Sequence, residues 1–313
     1  MKIKKEYILL ALLIASSVGY LIFQKTDRVH YTLPTLEAVQ PDGITTIDIT
    51  REGKTASLKK QGGTWLIAPQ DWRADSTKVS EMLDVLANLA VTDLVSETKD
   101  YDRYELDEGS RATIKAYAGQ EPRRDLIVGK AAPTHNHTYV MLPGDGRVYL
   151  ASGDLPRLFL VSPSDLRDMV VLSMTPADID RIEIEHKGRK TALVRSEVPQ
   201  DKEKNGSASQ DRPKVYTWKN DRGVPVDKAD VDTLLAVLAK LYCGEYLDDA
   251  MKTVLKAPET VIVMKGTGEH VLSIFAKSQD RVPALSSQSE SPFVMPDYKL
   301  EEMEKGLGRI LEK

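Results

Sequence analysis

Residues 7–23, YILLALLIASSVGYLIF, are uncharged and almost wholly apolar. At a helical rise of about 1.5 Å per residue, that length reaches the lower limit for crossing a hydrocarbon core, so the pattern predicts a spanning helix. Residues 24–43 then mix charge with prolines and a glycine, without a sustained period, and read as a stalk. From residue 44 the period becomes two. ITTIDIT (44–50) and KTASLKK (54–60) alternate apolar and polar side chains about the turn Arg51-Glu52-Gly53, and a third short strand, 64–67, follows Gly62-Gly63. The period then lengthens: Val79, Met82, Leu83, Leu86 and Leu89 make one helical apolar stripe, with Asp75 placed to cap the helix. Further strands are predicted at 112–118, 125–128, 138–141 and 148–151, parted by turn signals such as Gly144-Asp145-Gly146.

The helical pattern occurs twice. ADSTKVSEMLDVLANL (74–89) and VDKADVDTLLAVLAKL (226–241) place Asp75, Val79, Leu83, Leu86 and Leu89 opposite Asp227, Val231, Leu235, Leu238 and Leu241. Alternation surrounds the second copy too, at 179–184, 215–218, 260–264, 270–275 and 292–295. Trp218 stands where Trp65 stands, and Phe293-Val294 echoes Tyr139-Val140. This self-similarity predicts an α+β fold of two tandem repeated modules after an N-terminal transmembrane helix, each module an antiparallel β-sheet with one main amphipathic helix packed on it. The modules are expected at 44–160 and 178–313. Residues 152–176 read as short helical turns, with 161–177 as the connector, and 198–213 (VPQDKEKNGSASQDRP) as a flexible insertion at a hairpin tip.

Charge orients the chain. Lys2, Lys4 and Lys5 precede the apolar run, so the positive-inside rule leaves residues 1–6 cytoplasmic and everything after Gln24 outside. Ala15-Ser16-Ser17 would suit a signal peptidase, but the apolar run continues through 18–23 past that site, which favours an uncleaved anchor. Lys and Arg total 43 against 47 Asp and Glu, a net charge of -4 that provides no basic field for nucleic acid. The one cysteine, Cys243, can form no intrachain disulfide, so the outer part must be held by packing alone.

Reactive patterns are weak. No Gly-x-Ser-x-Gly elbow occurs, and the Ser-x-x-Lys matches at Ser57 with Lys60 and Ser96 with Lys99 lack the Ser-Asp-Asn and Lys-Thr-Gly partners of acyl-transfer enzymes. His135-Asn136-His137 offers two imidazoles at i and i+2, but further ligands, such as His186, His270, Asp145 or Asp154, could join them only through folding. Trp65 and Trp218 suggest a glycan surface, yet their matched places favour core packing; Trp72, Tyr101 and Tyr104 stay unassigned. The acidic stretch 100–107 and Asp248-Asp249 show neither a calcium-loop spacing nor a catalytic pair, and 265–268 (KGTG) lacks the following helix that would hold a phosphate. A duplicated active site would carry its reactive residues in both copies, and none does. No catalytic, cofactor-binding or metal-ligating residue is therefore assigned, and a protein that is not an enzyme and has no cofactor is expected.

Tyr31-Thr-Leu-Pro34, Gly62-Gly63-Thr64-Trp65, the helix stripe, Tyr104-Glu-Leu-Asp107, Gly129-Lys130 and Tyr139-Val140 together resemble a bacterial family of single-span membrane proteins with a repeated periplasmic domain of unknown function. Members are often encoded beside genes for a gliding-motility-type ABC transporter. The second copy departs from the pattern, with Thr253-Val254-Leu255-Lys256 and Phe275-Ala276-Lys277 in place of the Tyr-Glu-Leu-Asp and Gly-Lys motifs. The resemblance implies a single-pass protein of the bacterial inner membrane, its bulk periplasmic. Its partners would be the lipid bilayer and an ABC transporter permease or auxiliary subunit. Two alternatives are a periplasmic module that binds a lipid, glycan or peptide between the two copies, and a metal-dependent envelope hydrolase using His135 and His137.

Overall fold

In a computed structural model of the chain, residues 13–20, 31–197 and 216–312 are described. The fold is mixed α+β and mostly antiparallel, and it divides into two compact units: Met1–Pro69 with Thr77–Asp165, and Gln70–Ser76 with Leu166–Lys313.

One nine-stranded sheet contains β1 (Thr46–Arg51), β2 (Lys54–Gln61), β3 (Thr64–Ala68), β4 (Trp72–Arg73), β5 (Val91–Ser96), β6 (Ala112–Ala118), β7 (Glu121–Ala131), β8 (His137–Met141) and β9 (Val148–Ser152). Its order is β4-β3-β2-β1-β6-β7-β8-β9-β5. Period-two burial sets the register: Ile47 lies opposite Leu58 and Ala116, and Ile49 opposite Ala56 and Ile114, so apolar rows run across three strands. Helix α1 (Ser76–Asn88) buries Val79, Met82, Leu83 and Leu86, the predicted stripe. A short α2 (Leu155–Phe159) follows, capped by the Asp154 side chain, which accepts from the Arg157 N–H.

In the second unit β10 (Val170–Ser173) pairs with β15 (Lys240–Tyr242). The larger sheet holds β11 (Ile179–His186), β12 (Arg189–Glu197), β13 (Tyr216–Asn220), β14 (Pro225–Val226), β16 (Glu245–Tyr246), β17 (Thr260–Gly266), β18 (Glu269–Ile274), β19 (Pro283–Ser286) and β20 (Phe293–Val294). Its order is β14-β13-β12-β11-β17-β18-β19-β20-β16. Helix α3 (Lys228–Ala239) starts at Asp227, whose carboxylate accepts from the Ala229 N–H at 2.9 Å, and buries Val231, Leu234, Leu235, Val237 and Leu238. Helix α4 (Asp297–Leu311) packs on it through Met303, Gly306, Leu307 and Ile310.

Several expectations need revision. The second unit carries two long helices where one main helix was expected; α4 lies along α3 at Gly306, where a Cβ would stand 3.8 Å from Leu234 Cβ, an ordinary contact distance. The stretch 152–176, expected to be short helical turns, holds α2 and the 3-10 turn Pro163–Leu166 but also strand β10. Phe293-Val294 lies in β20, which holds the sheet position of β9, so its echo of Tyr139-Val140 in β8 is displaced by one strand. Residues 13–20 are helical, but the rest of the predicted span 7–23, together with 1–6, stalk residues 24–30 and the insertion 198–213, lies outside the described residues. Among those described, no helix is long and apolar enough to cross a membrane.

Candidate functional site

Four of the residues that carry the resemblance, Tyr104, Leu106, Gly129 and Tyr139, meet in the first unit. The 3-10 turn Asp102–Tyr104 leads into Glu105 at a left-handed φ of 56°, which turns the chain so that Tyr104 and Leu106 are both buried. The Tyr104 carbonyl then rests on Gly129: a Cβ on that glycine would stand 2.2 Å from the oxygen and 2.9 Å from Leu106 Cγ. The rings of Tyr104 and Tyr139 meet at 4.8 Å between centroids. Asp107 closes the turn, its Oδ1 accepting from the N–H groups of Gly109 and Ser110. Beside this cluster Asp145 accepts from Arg147 Nε at 3.0 Å, from Arg147 Nη2 at 2.8 Å and from Tyr149 Oη at 2.7 Å. The Arg147 hydrogen bonds hold the Asp145 carboxyl well below the usual carboxylate range, and burial pushes Tyr149 up to about 12. The carboxylates of Asp107 and Asp145 are thus both answered by donors within a few residues of them, which suits a structural role.

A buried cation organises part of the second unit. Only 7% of Arg167 is exposed; its guanidinium carbon lies 4.1 Å from the Trp72 ring centroid and 3.4 Å from that of Tyr246, and Nη2 donates to Ser291 Oγ at 3.0 Å. Tyr246 Oη in turn donates to the Asp168 carbonyl at 2.6 Å, and Arg73 pairs with the Asp168 carboxylate at 3.7 Å. Burial lowers the Arg167 pKa, but a guanidinium stays protonated in proteins, so the two ring faces provide its counter-surface. Cys243 is buried as well, with Sγ 3.9 Å from Met169 Sδ; desolvation pushes its thiol up to about 11, so little nucleophilic thiolate forms at neutral pH.

A groove of about 470 Å³ runs along β12, β13 and α3. The strand register places Arg195 opposite Trp218 and Glu197 opposite Tyr216, so these side chains share the face that holds buried Leu193. Trp218 is almost wholly covered, at 3% exposure, whereas Arg195 and Tyr216 remain more open. Arg195 stacks on Tyr216, 3.8 Å from guanidinium carbon to ring centroid, and donates to the Ala177 carbonyl at 2.5 Å. Lys228, Asp232 and Leu235, at i, i+4 and i+7 on α3, form the facing wall, with Lys228 Nζ bonded to the Asp232 carboxylate. Arg195, Lys228, Asp232 and Tyr216 give the groove polar groups that can receive a polar ligand.

The sequence candidates scatter. His135 is exposed in the β7–β8 turn at φ 56°, with its N–H on the Ala132 carbonyl, and His137 opens β8. Among the described residues, no group of three or more His, Cys, Asp or Glu is placed to hold a metal ion. Ser57 Oγ donates to Asp48 Oδ1, directly across the strand pair, at 2.6 Å; Ser96 Oγ lies 2.7 Å from Thr98 Oγ1. Asp248 caps the 3-10 helix Asp249–Thr253 by accepting from the Ala250 N–H. Gly266 of the KGTG segment is fixed by space, since a Cβ there would fall 1.6 Å from the Asp178 carbonyl oxygen. Trp65, like Trp218, is buried. The Arg167 sandwich has no sequence signal, because Trp72, Tyr246 and Ser291 are joined to it only by folding; the Arg195–Tyr216 stack could have been found from the alternation that places Trp218.

No curated protein and no solved structure matches the chain. A family model does: described as a domain of unknown function (DUF4340), it matches residues 65–258, from β3 of the first sheet to the segment before β17 of the second. That match covers more than half of the 313 residues, and the chain belongs to the DUF4340 family.

Proposed function

We propose that this chain is a membrane-anchored, non-enzymatic binding or scaffold protein of the bacterial inner membrane, with both units in the periplasm and in contact with an ABC-type transporter or another envelope complex. The observation that carries the proposal is the employment of its most distinctive residues: Tyr104, Leu106, Gly129 and Tyr139 pack against one another, so the motifs build a stable body and leave surfaces to act. The uncharged run 7–23 behind Lys2, Lys4 and Lys5 supports the anchor and its orientation. Duplication of one module is supported by two sheet orders that correspond strand for strand, each with its amphipathic helix after the fourth strand, and by burial of Trp65 and Trp218 on corresponding strands. The transporter as partner follows from the family resemblance.

The test is membrane fractionation of cells carrying a chain tagged at both ends. Both tags should resist alkaline extraction, with the C-terminal tag open to protease from the periplasmic side only. Release of the chain, or loss of the N-terminal tag by cleavage, contradicts the anchor. The Arg195 groove favours a second proposal, a module that binds a peptide, glycan or lipid headgroup there. A bound ligand identified in the purified protein and lost in Arg195→Ala would establish it.

A further inference from the structure

The segment between the anchor and the first strand is held down over much of its length. Tyr31 Oη accepts a hydrogen bond from the backbone N–H of Leu94 at 3.2 Å. Leu94 belongs to β5, the last strand in the order of the first sheet, paired with β9 on one side only. Beyond Tyr31, Leu33, Pro34 and Leu36 are half-buried and Val39 is buried. Glu37 acts on the charge of Arg124, itself buried and donating from Nε to the Leu86 carbonyl in the last turn of α1 at 3.0 Å. One short stretch therefore touches the sheet edge at one end and the body of the unit at the other. An uncovered edge strand offers its amides to other chains, and proteins commonly cover such edges with a loop.

We infer that residues 31–39 are a strap that closes the β5 edge of the first sheet and, given the anchor proposed above, sets how far the first unit can stand from the membrane. With the strap docked, the eight residue steps from Phe23 to Tyr31 set an upper limit of roughly 28 Å on the distance between those two residues. Were the chain free to Thr46, the same calculation would allow roughly 80 Å. A docked strap thus keeps the first unit beside whatever protrudes from the bilayer, where a membrane-embedded partner would meet it.

Amide hydrogen exchange on the full chain in detergent tests the strap independently of the anchor. Tyr31→Phe should speed exchange at the Leu94 amide about fivefold or more, while β9 amides keep their protection; an unchanged Leu94 rate overturns the edge closure. Energy transfer from a fluorophore at position 52 to labelled lipid headgroups, in vesicles carrying the protein, tests the spacing. A twenty-residue Gly-Ser insertion after residue 30 should lower transfer, whereas the same insertion after residue 40, beyond the strap, should not. Equal losses from both insertions overturn the strap. A chain that fails to stay with the vesicles rejects the anchor, and the exchange measurement still decides the strap.

Discussion

Gly129 and Gly308 both lie in regular structure but in opposite surroundings. At Gly129 a Cβ would collide with the Tyr104 carbonyl, a backbone atom that cannot turn aside, whereas at Gly308 on α4 nothing lies within 4 Å. Gly129→Ala is expected to destabilise the first unit by about 2–4 kcal/mol, and Gly308→Ala to stabilise the second by about 0.5–1 kcal/mol through helix propensity, both read from urea denaturation. Equal effects would mean that the Tyr104 turn does not rest on Gly129. Asp145 gives a pH dependence. Its folded pKa is depressed below the ordinary 3.8, chiefly by Arg147, so its contribution is complete above that value and is lost as pH falls through the lower folded one. The first unit should therefore weaken on acidification below about pH 4, and Asp145→Asn should be less stable at neutral pH with a flatter acid limb. Identical acid limbs in the two proteins would contradict the Arg147–Asp145–Tyr149 cluster.

Among the elements, α4 makes the sharpest prediction. Its buried face, Met303, Gly306, Leu307 and Ile310, lies on α3, and ending the chain after Pro296 would bare the apolar residues α3 holds there. The truncated protein is expected to lose the folded signals of the second unit while the first keeps its amide protection; a second unit that stays folded would show that α4 is dispensable. The stripe Leu300, Met303, Leu307 and Ile310 is visible in the sequence, but Gly306 and Gly308 depress helix propensity and mask it. Strands β1 to β3, β6 to β9, β11, β17 and β18 were legible because alternation marks a sheet with one buried face. β4, β14 and β16 have two residues each, too few to show a period. β10, whose neighbours in sequence read as turns, is a strand only because β15 lies beside it. The candidate sites show the same divide. Trp65 and Trp218 were readable as core from their matched places, whereas the Arg167 sandwich draws on Trp72 and Tyr246, and the sequence carries no sign that three such distant positions meet.

For the whole molecule, the proposal is a doubled packing module, tethered outside the lipid, that acts by touching a neighbour. The side chains that match between the two helices, such as Val79 with Val231 and Leu86 with Leu238, are turned inward, so burial accounts for them, and the proposal places recognition in exposed residues where the halves differ. Val254, 69% exposed and standing where the first half has the charged Glu105, is one such position. Photo-crosslinking in the native membrane, with the reactive residue placed at Glu52 in the first unit and at Val254 in the second, tests this directly when the products are purified in detergent and identified by mass spectrometry. A permease or auxiliary subunit of an ABC-type transporter, or another single envelope protein, should be captured from at least one position and not from a probe buried at Leu58; capture of nothing but lipid from both exposed positions would contradict the proposal.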